Sequence, residues 1–307
     1  SVANAGDTII VKPGVYTDYT DSSGLRLNKS NISLISEQQG QAVIDGQNRS
    51  DRREAIFLDG SSNIVKGFKI TNGFLGGVAI YGSNNQIRNN EISYNGRSGS
   101  TSYGQDGVYS DKNTGGNVYW GNHIHHNGRT GSNLDHGIYL CGDNELVANN
   151  IISYNAAFGL HIAGYNTVSG MKVLDNTLAW NGKSGSTMWQ SVQNIEFKGN
   201  IFYKNKVYGF DTYACHGSGV VLSNNLFFGN PAGEMNMKNG GSDFTYVLGP
   251  KVSADPLVVD ETLFRLRSGS PAIGAGISTQ IATDFGGNPR GNPPSIVAII
   301  PSPEIIF

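Results

Sequence analysis

The sequence is short of charge, of cysteine and of long apolar runs, and each shortage excludes something. Only 15% of its 307 residues are charged and the formal net charge is −2. Nucleic-acid binding through bulk positive charge is therefore excluded, and any polyanion must be met locally. The two cysteines, Cys141 and Cys215, are too few for a disulfide framework. No stretch approaches the ~18 to 20 consecutive apolar residues that carry a helix across a bilayer, so no membrane partner is expected. The opening SVANAGDTII carries neither the basic region nor the apolar core of a signal peptide. Helical periodicity sustained over ten or more residues is missing as well.

Glycine is abundant, with 42 residues, and asparagine recurs in a fixed frame. The pattern N-x-[apolar]-x-x-N appears as NEISYN (90–95), NHIHHN (122–127), NIISYN (150–155), NTLAWN (176–181), NIFYKN (200–205) and NLFFGN (225–230), the leading Asn residues lying 32, 28, 26, 24 and 25 apart. In step with it run GVAI (77–80), GVYS (107–110), GIYL (137–140), GLHI (159–162) and GFDT (209–212). Each repeat thus holds two or three short alternating segments divided by Gly and Asn. Strands this short cannot bury themselves singly, but stacked coils can. Propeller blades of about 40 or more residues are too long for this spacing. The expected fold is all-β: a single-domain right-handed parallel β-helix over residues 1–307, with 1–24 as an N-terminal capping region and 251–307 as a C-terminal capping segment and tail. Asn90, Asn122, Asn150, Asn176, Asn200 and Asn225 are read as a ladder at a corner, since Asn tolerates left-handed backbone angles and bonds its own neighbourhood.

Strand alternation then places the side chains. Val108, Ile138, Leu160 and Phe210 point into the coil, and the outward column reads Ala79, Tyr109, Tyr139, His161, Trp189 and Asp211. Gly107, Gly137, Gly159 and Gly209 are expected to face outward as the floor of a shallow trough. The near-copies NGRSGS (95–100), NGRTGS (127–132) and NGKSGS (181–186) should set Arg97, Arg129 and Lys183 along one rim. Aromatic rings beside cations suit an extended sugar chain bearing carboxylates or sulfates. Tyr139 and His161 are the candidate acid and base, because His is nearly neutral at pH 7 and Tyr can deliver a proton. Asp106, Asp135 and His136 are candidate substrate contacts with Tyr109, Trp189, Asp211 and the three cations, although His136 falls on the inward parity. No cofactor is expected, while Ca²⁺ would suit oxygens clustered from Asp106, Asp135 and Asp111. His123, His125 and His126 read as an exposed turn face rather than a metal site. Cys141 and Cys215 sit three rungs of about 4.8 Å apart, beyond the ~7 Å limit for a disulfide, so two free thiols are expected.

GDTIIVKPGVYT (6–17), LFRLRSGSPAIGAG (263–276) and DFGGNPR (284–290) resemble the opening and closing segments of secreted bacterial right-handed β-helix proteins. That superfamily includes pectate and alginate lyases, chondroitinases, mannuronan epimerases, glycoside hydrolases and phage tail spikes, so the fold does not choose among them. The Tyr139/His161 pair looks like that of polysaccharide lyases. YGFD (208–211) is similar to the start of the mannuronan C5-epimerase signature, but Thr212, Tyr213 and Ala214 depart from the Pro-His-Glu that follows. The resemblance implies a secreted, monomeric polysaccharide lyase of the alginate type acting on an acidic polymer. The Asp-Asp and Gly-His-Gly pattern of polygalacturonases is absent, as is the Arg-x-Pro-x-x-Arg of the commonest pectate lyases. A hydrolase using Asp106, Asp135 or Asp211, a C5-epimerase and a non-catalytic carbohydrate-binding solenoid remain open.

Overall fold

The computed structural model describes residues 3–296 except 19–21, 23, 52, 99–102 and 239–240. The end of the first NG[RK][ST]GS segment, part of the N-terminal region and residues 297–307 therefore lie outside the described residues. Three parallel sheets of 10, 10 and 9 strands wind into a right-handed coil. One full turn shows the plan: Gln86–Arg88, Glu91–Ser93 and Val108–Ser110 enter the first, second and third sheet, and Val118–Trp120, His123–His125 and Ile138–Leu140 pair with them in parallel on the next turn. Among the described residues there is no helix, hence none long and apolar enough to cross a membrane.

Strands of three residues suffice because each points one apolar side chain inward. Ile87, Ile92, Val108, Ile124, Ile138, Val147, Ile152 and Leu160 are all completely buried in one continuous core. Stacked neighbours remove from water what a lone strand would expose.

Two of the corners are held by asparagine ladders. Asn90 Nδ2 donates to Asn122 Oδ1, and the chain of bonds continues through Asn150, Asn176, Asn200 and Asn225 at 2.9–3.2 Å. The second Asn of each motif forms a parallel ladder through Asn95, Asn127, Asn155, Asn181, Asn205 and Asn230. The left-handed residue is not the ladder Asn, as expected from sequence, but the one before it: Asn89, Tyr94, Asn149, Tyr154, Trp180 and Lys204 all have φ near +50 to +59°. That residue turns the chain so that the following amide points inward and can reach the next coil.

The column glycines correct another expectation. A Cβ on Gly137 would lie 2.6 Å from Asn155 Nδ2, and one on Gly159 2.7 Å from Asn181 Nδ2. These glycines face the interior, pressed against the second ladder, because strand alternation does not carry through the corner that precedes each strand.

Thr8–Val11 and Gly14–Tyr16 are the first strands of two sheets and pair with the following turn. After Lys251–Val252, Phe264, Leu266, Ala272 and Ile296 pack on the outside of the second sheet against Ile151, Ala179, Ile201 and Leu226. Cys141 and Cys215 are buried free thiols, and burial raises the pKa of both.

Candidate active site

A groove forms where strand length changes in the third sheet. Val108–Ser110 and Ile138–Leu140 are three residues long, whereas the following Leu160–Ser169, Ser186–Gln193 and Tyr208–Ser218 run on past the corner and stand up as a wall. Against that wall lies a cavity of about 1020 Å³ that follows the coil axis from Arg53 and Glu54 to Lys183 and Asp211.

Pairing sets the outward column as Ala79, Tyr109, Tyr139, His161, Thr187 and Asp211. Trp189 is not in it: the register matches His161 with Thr187, so Trp189 pairs with Ala163 and Tyr213 two residues further along. It still lines the groove, in the wall, edge-on to Tyr165 at 5.2 Å. The Tyr109 and Tyr139 rings stack at 6.0 Å and 14°, and Tyr139 meets the edge of His161 at 4.8 Å. Tyr139 Oη donates to Tyr165 Oη at 2.9 Å. Burial and that partner push the Tyr139 pKa far above its ordinary value, so the phenol keeps its proton.

His136 corrects the parity argument. Gly137 takes the inward place at the corner, and the residue before it turns to the groove. The same shift exposes a second column to the cavity, in which register aligns Glu54, Gly76, Asp106, His136 and Phe158. Sequence reasoning missed Glu54 and Phe158; the signal available was the position preceding each column glycine or paired with it.

Hydrogen bonds fix the tautomers of the two imidazoles. Phe158 N–H donates to His136 Nδ1 at 3.4 Å, and His136 Nε2 lies 3.0 Å from His161 Nδ1. A backbone N–H can only donate, so neutral His136 carries its proton on Nε2 and gives it to His161 Nδ1. The proton of neutral His161 is then on Nε2, which is buried without a protein partner. Both rings are neutral near pH 7: burial holds His161 down to about 3, and burial with His161 and Lys183 nearby holds His136 well below its ordinary value. His161 therefore presents an N–H, not the lone pair that a base needs.

The three repeated cations diverge. Lys183 lines the groove and sits over the Phe158 ring at 5.6 Å. Arg129 instead binds both oxygens of Asp135, at 2.7 and 2.8 Å, and Arg97 lies over Tyr94 at 5.4 Å beside a corner ladder, away from the cavity lining. Asp135 is completely buried and also caps Gln105 N–H, so it is a structural anchor and not a substrate contact. The local motif is the same in all three copies; the partner each side chain meets is not. The groove contains two further cations that the sequence reading did not single out, Arg53 and Lys112.

Of the other carboxylates, Asp106 Oδ1 accepts the His136 N–H at 2.7 Å, and burial raises its pKa. Asp211 Oδ1 accepts from Asn236 Nδ2 and Thr212 N–H. Asp111 lines the groove and accepts from Tyr109 Oη at 3.2 Å. Asp135 is tied to Arg129, and among the described residues no group of three or more His, Cys, Asp or Glu side chains could hold a metal ion. His123 and His125 lie with ring centroids 4.1 Å apart, tilted by 38°, on the second sheet and are half-buried; of the three only His126 is an exposed corner residue.

Residues 20–200 match the sequence pattern of the right handed beta helix region. The chain belongs to the right-handed β-helix family. No curated protein matches it in sequence. The fold of this β-helix is similar to that of a pectate lyase, Pel9A, with a TM-score of 0.72 over 98% of this chain and 89% of that one at 17% identity. It also overlaps an alginate lyase from Paenibacillus sp. str. FPU-7, at TM-score 0.46, 17% identity and coverage of 78% and 94%. The Azotobacter vinelandii mannuronan C-5 epimerase AlgE6 A-module overlaps at TM-score 0.46 and 14% identity, covering 82% and 91%.

Proposed function

We propose that this β-helix is a secreted polysaccharide lyase that cleaves a uronate-bearing polymer, of the alginate type, by β-elimination. One observation carries the reading: the Tyr139 phenol, the His161 ring and the Lys183 ammonium line a single aromatic groove that runs along the coil axis.

Elimination requires a base for the C5 proton, positive charge or donors for a carboxylate becoming enolate-like, and an acid for the departing O4. The Lys183 ammonium is the stabiliser, a full charge acting where buried walls weaken screening, and the neutral His161 ring supports Tyr139 edge-on from beneath. Tyr139 Oη is the atom that moves protons. The step begins from the phenolate fraction, after the Oη proton has passed to solvent: that oxygen takes the C5 proton, and the phenol so formed gives the same proton to O4 as the C4–O4 bond breaks. Tyr109, Trp189, Asp106 and Asp211 are assigned to holding the sugar, by stacking and by hydrogen bonds. His136 acts through His161 by fixing its tautomer and is a positioning residue.

A hydrolytic reading has one observation in its favour. Glu54 and Asp106 both line the groove two rungs apart, with only Gly76 between them, so an acid and a base of raised pKa share one wall of it. The assay separates the two. Incubation with alginate, pectate, hyaluronan and chondroitin sulfate in turn should give a rise in the ultraviolet absorbance of an unsaturated uronate end with one polymer. New reducing ends without that absorbance would transfer the assignment to Glu54 and Asp106.

A further inference from the structure

The groove has a second cationic end that the proposed chemistry does not use. Continuing the strand register back from Glu54↔Gly76 and Val78↔Val108 places Arg53, Leu75, Gln105, Asp135, Ala157 and Lys183 in one column, a residue on each successive coil. Arg53 and Lys183 thus occupy equivalent positions five rungs apart, about 24 Å along the axis. Both line the cavity, and the Arg53 side chain is 55% exposed. Of the four positions between them, none presents a positive charge to the groove: Gln105 is buried and Asp135 is engaged by Arg129.

Glu54 completes this end. Its side chain is 10% exposed and lies 3.6 Å from Arg53, while its Oε2 is buried with no hydrogen-bond partner. The adjoining coil offers Gly76 there, where a Cβ would lie 2.7 Å from Asp106 O and 3.7 Å from Glu54 Cγ, so only glycine fits between the two acids. Burial raises the Glu54 pKa to about 7, which lets a protonated carboxyl stand next to an anionic sugar and hydrogen-bond its hydroxyl. Tyr81 forms the adjoining wall.

We propose that Arg53, with Glu54 beside it, is a distal carboxylate subsite, filled only by uronate chains long enough to reach it from Lys183. This rests on the uronan reading given above. An extended pyranose chain advances by about one rung, ~4.8 Å, per unit, so a chain of about six units places one carboxylate at each cation. Remote binding of this kind is expressed as a length threshold in kcat/KM.

The test uses sized oligogalacturonates and alginate oligomers of about three to eight units, with cleavage followed by absorbance and binding by calorimetry. Wild-type kcat/KM should step up by at least about tenfold as the chain reaches about six units, and Arg53→Ala should bring the long oligomers down to the value of the short ones. Arg53→Gln should give the same collapse, and thermal melts establish that both variants are folded. Cleavage with no length step, or a step that survives both substitutions, overturns the distal subsite and leaves the lyase reading intact. Neither binding nor cleavage of any oligomer or polymer overturns both together.

Discussion

At the scale of residues, the outward column was legible because period-two alternation needs no tertiary information: Tyr109, Tyr139, His161 and Asp211 all stand where strand parity put them. The cations were not legible, since the same NG[RK][ST]GS sequence leads Lys183 to the groove and Arg129 to Asp135. Roles within the column were also beyond the sequence. His161 looked like a base until the His136 contact and its burial placed its proton on Nε2. A pH profile checks that assignment. With the His161 pKa held at about 3, kcat should show no inflection between about pH 5 and 7, where an ordinary histidine base would titrate. It should instead climb into the alkaline range as the Tyr139 proton becomes removable, because the raised Tyr139 pKa leaves little phenolate at neutral pH. Tyr139→Phe and His161→Ala should each lower kcat by about 10² or more. A kcat inflection near pH 6.5 that disappears in His161→Ala would return the base to histidine.

At the scale of elements, the repeat spacing announced the coil and its asparagines announced a corner, yet the glycine column was placed on the wrong side. Alternation is a property of the strand, and Gly107, Gly137 and Gly159 precede the strands that follow them. The corrected geometry makes these glycines packing requirements. Gly159→Ala would drive a methyl to 2.6 Å from Gly185 O and 2.7 Å from Asn181 Nδ2, and should destabilise the protein by about 1 to 3 kcal/mol. Asn150→Ala removes the acceptor for both Asn122 N–H and Asn122 Nδ2 and leaves Tyr119 O without its donor, all of them buried. At about 1 to 3 kcal/mol for each orphaned group, its loss should exceed that of Gly159→Ala. Equilibrium denaturation measures both; equal stability of wild type and Asn150→Ala would mean that the ladder is ornamental to the fold.

At the scale of the whole molecule, the solenoid was readable because every coil repeats the same solution, whereas the C-terminal segment has no repeat to betray its place along the second sheet. The interior carries one further departure from the asparagine pattern. Asn63, Asn85 and Asn117 form a third column, and Glu145 continues it, accepting from Asn117 Nδ2 and from Ser110 Oγ. Burial raises its pKa to about 7, as it does for Glu54. For these acids the unfolded chain releases its protons first, so their contribution is complete below about pH 4.5 and is lost as the pH rises towards 7. His123 and His161 act in the opposite sense. Their folded values are near 3, so the unfolded chain takes up protons first and stability falls as the pH drops below about 6.5. Thermal stability should therefore peak in mild acid, between about pH 5 and 6.5. Glu145→Gln should flatten the loss of stability between about pH 5 and 8, and a wild-type melting temperature that climbs steadily to pH 8 would contradict the account.

The central claim is that the groove breaks a uronan by elimination. The most direct measurement is the mass of the products of wild-type digestion across the polymer panel. The account predicts oligomers lighter by one water than their saturated counterparts, with the double bond at the new non-reducing end. Saturated oligomers would contradict it and assign the reaction to hydrolysis, and an undigested polymer from every incubation would remove the lyase assignment altogether.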